Sequence, residues 1–406
     1  MRVLLSTIGT RGDVQPLAAL ALALKALGED VRLCVPPDFR EWIEGLGLSV
    51  TPIGPEIRKA IAEMPRAVPL SPEKRRELVE QTVAAQFETI TAAAKGCDVI
   101  VGATTLQIVA PSVAEKMGIP YVFAAYCPRV VPSPAHAPLP LSMRGQKPAP
   151  PDADNRALWC ESAELFYNTW ATLLNARRAA LGLAPLDDVL YHIITDRPWL
   201  ATDQALAPWP DVEPDAVLQT GAWILADERP LSRELDAFLD AGDPPVYFGF
   251  GSMRVASDIS TIMIQSARAL GRRVILSRGW ADLSLVDGNG DCLEIDEVNQ
   301  QALFKRVAAV VHHGGAGTTT AAAMAGAPQV VVPQMYDQHF WADRVQDLGI
   351  GRAHAAGMPT TDSLTAALEQ TLTSNTAARA RSIAARMRRD GALTAARQLI
   401  TLTQRA

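Results

Sequence analysis

The sequence predicts an α/β protein built from two doubly wound domains that face one another across a cleft. Three observations carry that expectation. Short apolar runs rich in β-branched residues alternate with helix-forming stretches along the whole chain. Most of those runs are apolar throughout, as strands are when helices cover both faces of a parallel sheet. The second half then repeats the architecture without repeating the sequence. At 406 residues the chain exceeds one ordinary domain, and two domains of roughly 200 residues would each have enough apolar content for a core.

In the first half the expected strands are Val3 to Ile8, Val31 to Val35, Ser49 to Ile53, Asp98 to Gly102, Tyr121 to Ala125 and Trp199 to Thr202. Between the first two lies a helix from Pro16 to Leu27, stopped by Gly28, so residues 1 to 35 form one β-α-β unit. In the second half Val246 to Phe250, Val274 to Leu276, Leu293 to Ile295, Ala308 to Val311 and Val330 to Val332 read as strands, with helices after most of them. The proline-rich run Ala207 to Pro214 marks the seam. The expected division is a first domain over 1–210, a linker over 211–229 and a second domain over 230–406. The basic tail from Asn375 onward is expected as one helix returning across the first domain. Pro128 to Pro151 carries too many prolines for helix or central strand and reads as a long loop. Ser71 to Glu80 reads as a solvated helix face.

Composition narrows the partners. A net charge of −6 argues against nucleic acid or an anionic membrane as the main partner and favours small molecules. The five cysteines (Cys34, Cys97, Cys127, Cys160, Cys292) are scattered without C-x-x-C spacing, which suggests neither a disulfide frame nor a zinc site. The apolar run before Gly9 is too short for a signal-peptide core and Leu17 to Leu24 too short for a membrane span. The expectation is a cytoplasmic protein acting as a monomer.

Chemistry concentrates in three stretches. In Val310-Val-His-His-Gly-Gly-Ala-Gly-Thr-Thr-Thr-Ala-Ala-Ala-Met324 a buried strand runs into glycines and then a Thr-rich helix start. Free backbone N–H groups and a helix dipole converge there, which suits phosphate; His313 and the Thr318 hydroxyl can add donors. The bland alternative is a tight strand–helix turn. The adjacent histidines at a strand end point to opposite faces with no third ligand evident, which argues against metal. Downstream, Asp337 and Gln338 follow the next strand. They could hold vicinal hydroxyls, or Asp337 could simply cap the next helix. Near the N-terminus, Gly9-Thr-Arg-Gly-Asp-Val-Gln-Pro16 sets a carboxylate, Asp13, on a glycine turn. It lacks the G-x-G-x-x-G spacing of a dinucleotide turn. As an adhesion tripeptide, Arg11-Gly12-Asp13 is a three-residue match in the wrong compartment. Asp13 is then a helix cap or a base. If Pro16 opens the helix the cap is Gln15; if Pro16 is its third residue the cap is Asp13 itself.

His313-Gly-Gly-Ala-Gly-Thr318 followed by Asp337-Gln338 resembles the nucleotide-sugar signature of GT-B glycosyltransferases of family 1. The segment Ser6-Thr-Ile-Gly-Thr-Arg-Gly-Asp-Val-Gln-Pro16 resembles most closely the branch that decorates vancomycin-type glycopeptide aglycones. The resemblance covers nearly the whole chain and implies two Rossmann-like domains, as well as transfer of a sugar with inversion from a TDP- or UDP-sugar to an aglycone hydroxyl. Neither metal nor cofactor is implied. It sets His313, Gly314, Gly315, Ala316, Gly317 and Thr318 at the donor diphosphate, with Ser252 beside them from the first turn of the second domain. Asp337 and Gln338 would bind sugar hydroxyls. Val298 to Gln300 would hold the nucleobase, with Val-Asn-Gln here where relatives have Val-Pro-Gln, which leaves uracil or thymine open. Trp280 is either a further base contact or a core tryptophan. Thr10, Arg11 and Gly12 fall among the donor-side groups. Plant and macrolide relatives use a histidine of the first domain as base. No histidine precedes His136 here, and the resemblance gives that role to Asp13. A sterol or macrolide acceptor, a non-catalytic helper and a nucleotide-sugar epimerase are the alternatives.

Overall fold

In the computed structural model, residues 1–63, 71–140, 150, 152–210, 217–253, 258–281, 283–355 and 357–405 are described. The first sheet holds β1 (Arg2–Thr7), β2 (Asp30–Val35), β3 (Ser49–Pro52), β4 (Val99–Ala103), β5 (Tyr121–Ala125), β6 (Trp199–Leu200) and β7 (Leu218–Gln219), in the order β3-β2-β1-β4-β5-β6-β7. The second holds β8 (Val246–Gly249), β9 (Val274–Ser277), β10 (Cys292–Ile295), β11 (Ala309–His312), β12 (Gln329–Val331) and β13 (Gly351–Ala353), in the order β10-β9-β8-β11-β12-β13. Every pairing within the two sheets is parallel. The strand order reverses between β1 and β4 in one sheet and between β8 and β11 in the other, and it is outside such reversal points that open α/β sheets bind ligands.

The helices are α1 (Arg11–Ala26), α2 (Arg40–Gly45), α3 (Ile57–Glu63), α4 (Pro72–Ala93), α5 (Ala110–Met117), α6 (Asn155–Ala180) and α7 (Val189–Ile194) in the first half. The second half has α8 (Arg233–Asp240), α9 (Ile259–Ala269), α10 (Gln300–Leu303), α11 (Ala316–Ala325), α12 (Gln338–Asp347), α13 (Thr361–Thr371), α14 (Ser374–Ala384) and α15 (Gly391–Arg405). No described helix is long and apolar enough to cross a membrane.

Alternate residues of the strands feed opposite faces of each sheet. In β1, Val3 and Leu5 join the core under α1, whereas Leu4 joins the core under α4, α5 and α6. The first turns of α4 are exposed, as the charged run from Ser71 predicts.

Four expectations need correction. Helix α1 begins at Arg11 and carries Pro16 inside it. The proline removes the bond to the Gly12 carbonyl, but Gly12 is exposed and water can serve that oxygen. Strands β7 and β13 lack the apolar runs that announce strands, and β7 lies within 211–229, so the first sheet continues past residue 210. Within the supposed linker, residues 211–216 lie outside the described residues, as do 141–149 and 151 of the proline-rich loop. The tail is two helices, not one, broken before Gly391. The return across the first domain is as expected: the apolar face of α15, through Ala392, Ala395, Ala396 and Leu399, packs against Val14, Leu17 and Leu20 of α1.

The two halves share one further cluster. Cys127, Leu206 and Ala207 from the first pack with Trp341, Val345, Ile350, Ile383 and Met387 from the second, and Val130 and Leu139 of the proline-rich loop pack onto it. Arg344 Nε donates to the Leu206 carbonyl at 3.0 Å, and the Arg388 N–H donates to Asp203 Oδ2 at 2.8 Å.

Candidate active site

The first wall of the cleft is the turn after β1. Thr10 is the N-cap of α1, and Asp13 is the third residue of the helix. The Thr10 N–H donates to Asp13 Oδ2 at 2.7 Å, and the Thr10 hydroxyl lies 3.3 Å from the same oxygen. A carboxylate reaching back from the third position is half of a capping box. Neither Gln15 nor Asp13 is therefore the cap, but Asp13 does serve the helix start. Both bonds fall on Oδ2, so Oδ1 stays out of the capping interaction. Gly9 makes the arrangement sterically feasible, because a Cβ there would lie 2.1 Å from Asp13 Oδ2. From the far side of β4, the Tyr126 hydroxyl donates to the Asp13 carbonyl at 3.3 Å.

Asp13 is half-buried, and its carboxyl is pushed up to about 6. Burial is the main cause, the Thr10 N–H pulls the other way, and the negative charge of Asp337 pushes it further up. Arg11 turns away from this pair. Its guanidinium lies 3.4 Å from the ring centroid of Trp42, and Nη2 reaches Glu297 Oε1 of the second domain at 3.2 Å. Arg11 thus ties the domains together instead of presenting a free cation to a donor. Gly12 is exposed in the first turn of α1, and Thr10 is engaged with Asp13.

The second wall is built from the turns after β8 and β11. The His313 ring sits between them: a Cβ on Gly251 would lie 3.2 Å from its Cε1, and one on Gly315 2.6 Å from its Nε2. Burial pushes His313 down to about 4, so the ring is neutral at pH 7 and can offer an N–H rather than a charge. Its Nδ1 is buried without a partner among the described residues. Gly315 caps α11 with no side-chain bond, and the Thr319 hydroxyl bonds back to the Gly315 carbonyl at 2.9 Å. The N–H groups of Ala316, Gly317 and Thr318, the first three of α11, have no intrahelical acceptor and stand at the positive end of its dipole. Ser252, half-buried, follows Gly251 in the neighbouring turn.

Asp337 occupies the N-cap position of α12 but makes no capping bond. Its Oδ2 instead accepts from Trp341 Nε1 at 2.9 Å, one helical turn on. Burial pushes this carboxyl, too, up to about 6, against the pull of the indole N–H. Gln338 is buried and works differently: its Oε1 accepts from the N–H groups of Gln334 and Met335 at 2.8 and 3.1 Å, and its Nε2 lies 3.3 Å from Met253 Sδ. It braces the loop that presents Asp337 and links it to the turn carrying Ser252.

Val298 and Gln300 are half-buried, with Asn299 buried between them. Asn299 Oδ1 caps α10 by accepting from Ala302 at 3.0 Å, while its Nδ2 donates to the carbonyls of Asp227 and Arg229 at 2.8 Å each. Proline could make none of these bonds, so the Asn holds this loop to the interdomain segment. Trp280 is half-buried and packs against the core cluster under α1. It stacks on Phe39 of the first domain, centroids 6.4 Å apart at 14°.

Trp341 and the ties made by Phe39, Trp42 and Asn299 are not among the residues the sequence singles out for these roles. The Asp337-to-Trp341 spacing of one turn was a usable signal; the others are contacts between distant segments. Among the described residues no three His, Cys, Asp or Glu side chains gather as a metal site.

A helix start with open N–H groups on one doubly wound domain, facing a half-buried carboxylate on another, is the arrangement of a GT-B glycosyltransferase. Residues 3–134 match the glycosyltransferase family 28 N-terminal domain, and residues 264–398 match the C-terminal domain of erythromycin biosynthesis protein CIII-like proteins. The chain is 51% identical over 407 residues to a vancomycin aglycone glucosyltransferase of Amycolatopsis orientalis, covering 100% of this chain and 98% of the relative. It is 42% identical over 391 residues to a dTDP-epi-vancosaminyltransferase of the same organism, covering 94% and 93%. The solved structure of the glycosyltransferase VinC in complex with dTDP superposes with a TM-score of 0.67 at 19% identity, covering all of both chains, and so shares the fold. The chain belongs to the family-1 GT-B glycosyltransferases. It is a sugar-transferring enzyme.

Proposed function

We propose that this glycosyltransferase moves a sugar from a TDP- or UDP-sugar to a hydroxyl of a glycopeptide aglycone, with inversion, and that Asp13 is the general base. The observation that carries the reading is the state of Asp13. Its carboxyl is oriented by Thr10 and raised to about 6. A base of that strength is ionised at neutral pH yet still basic enough to take a proton as the acceptor oxygen attacks. The acceptor hydroxyl attacks the anomeric carbon in line as the bond to the diphosphate oxygen breaks. Asp13 takes the hydroxyl proton, and the departing diphosphate is met by the His313 N–H and the open N–H groups of α11. Asp337, held by Trp341, accepts from sugar hydroxyls, while Val298 and Gln300 flank the base. The donor is itself the activated reactant, so the reading needs neither cofactor nor metal, and both walls come from one chain, so it needs no second copy.

The relatives' names support the choice of acceptor and, through the dTDP donor that one of them mentions, thymidine over uridine. All five cysteines are free thiols, four of them buried, which supports a reducing compartment such as the cytoplasm. The test is a mass-spectrometric screen of TDP- and UDP-sugars against glycopeptide, macrolide and sterol aglycones. A glycosylated glycopeptide with nucleoside diphosphate released in step is expected. Donor consumption independent of aglycone would indicate an epimerase instead, and no diphosphate release with any pair would indicate a helper protein.

A further inference from the structure

His312 ends β11 with its side chain fully buried, beside His313, whose ring is turned at 88° to it. Both of its nitrogens have partners. The Gly314 N–H donates to Nδ1 at 3.1 Å, and Nε2 lies 2.9 Å from Gln329 Oε1 on β12. A backbone N–H can only donate, so Nδ1 carries no proton; a neutral imidazole then carries its proton on Nε2, and Gln329 must present its oxygen. The ring is thereby locked in one tautomer. Protonating it would set Nδ1–H against the Gly314 N–H, donor against donor.

This contact holds the turn in shape. Gly314 has φ +93°, and a Cβ there would lie 2.7 Å from Val331 Cγ1, so the backbone enters a conformation that only glycine adopts readily. A side-chain acceptor on residue i bonding the N–H of i+2 is the geometry by which Asn and Asp stabilise turns; here the imidazole performs it. One consequence is that the Gly314 N–H is already satisfied, leaving diphosphate recognition to His313 and the start of α11.

We propose that His312 is a positioning residue of the donor site: by accepting from Gly314, with Gln329 fixing its tautomer, it sets the turn that aims His313 and the α11 N–H groups at the nucleoside diphosphate. The proposal rests on the reading of that turn as the diphosphate site.

The test compares His312→Phe with His312→Asn, whose shorter side chain retains an acceptor for the i+2 N–H. TDP and UDP binding is measured by calorimetry, together with donor and acceptor KM, kcat and melting temperature. His312→Phe is expected to weaken diphosphate binding and raise donor KM by on the order of tenfold, as a lost and unreplaced hydrogen bond does, with acceptor KM unchanged. His312→Asn is expected to recover most of that loss. Wild-type diphosphate affinity in His312→Phe, or equal losses in both variants, would overturn the proposal. Nitrogen NMR of the wild-type protein is a second readout that needs no variant: His312 must show unprotonated Nδ1 and protonated Nε2 at pH 6, and an imidazolium or the opposite tautomer would overturn it as well. If the wild-type enzyme binds neither TDP nor UDP, it is the reading of the turn that fails; the tautomer result stands apart from it.

Discussion

At the scale of single residues, the site works by withholding water from carboxyl groups and giving each one partner. Asp13 has Thr10 and Asp337 has Trp341, and burial raises both to about 6. The sign of the pH dependence follows. A base must be ionised to accept a proton, so turnover should be level above about pH 7, fall to about half near pH 6 and reach about one tenth of the plateau near pH 5. A steady-state profile from pH 5 to 8 at saturating donor reads this, and a flat profile would contradict it. The residue types at His313, Asp337 and Asp13 were legible in the sequence because each sits just beyond a strand end, where chemistry is displayed. Their states were not, because a raised carboxyl or a lowered imidazole is set by what packs around it. Gln338 shows the limit most clearly. Its amide suits sugar hydroxyls, but only the fold shows that its oxygen also accepts from Gln334 and Met335.

At the scale of elements, two short turns decide the geometry. The β1–α1 turn places Asp13 only because residue 9 has no side chain. Gly9→Ala should push the carboxylate from its seat and cut turnover by on the order of 10- to 100-fold, as a displaced catalytic group does, while far-UV circular dichroism stays that of the wild type. Undiminished transfer would show that the position of Asp13 does not matter. The loop before α10 depends on Asn299. Asn299→Pro would remove an N-cap and two hydrogen bonds to the interdomain segment, about 2–3 kcal/mol of stability in all, measurable by urea unfolding; an unchanged midpoint would contradict the account of that tie. Strand–helix alternation was readable from the periodicity of the apolar runs. The start of α1 was not, since Pro16 suggested a first turn and the Thr10–Asp13 pairing outweighs it. Strands β7 and β13 escaped because two or three residues at a sheet edge need no apolar run.

At the scale of the whole molecule, the expectation of two doubly wound sheets across a cleft came from the repeat of architecture, and the sheet orders bear it out. What the sequence could not announce is how the halves are fastened. Phe39 on Trp280, Arg11 on Glu297, the cluster around Trp341 and the return of α15 onto α1 all join residues far apart in the chain. Those fastenings bring the Asp13 wall to the His313 wall, and Asp337 near enough to perturb Asp13. The central claim is that the two walls act together, one as base and the other as donor site. The direct measurement is transfer by Asp13→Asn, with donor affinity determined on the same protein. Asparagine can still accept from Thr10, so the turn should persist. The account predicts diphosphate binding within about twofold of the wild type and a loss of turnover of about 100- to 10,000-fold. Turnover close to that of the wild type would contradict it.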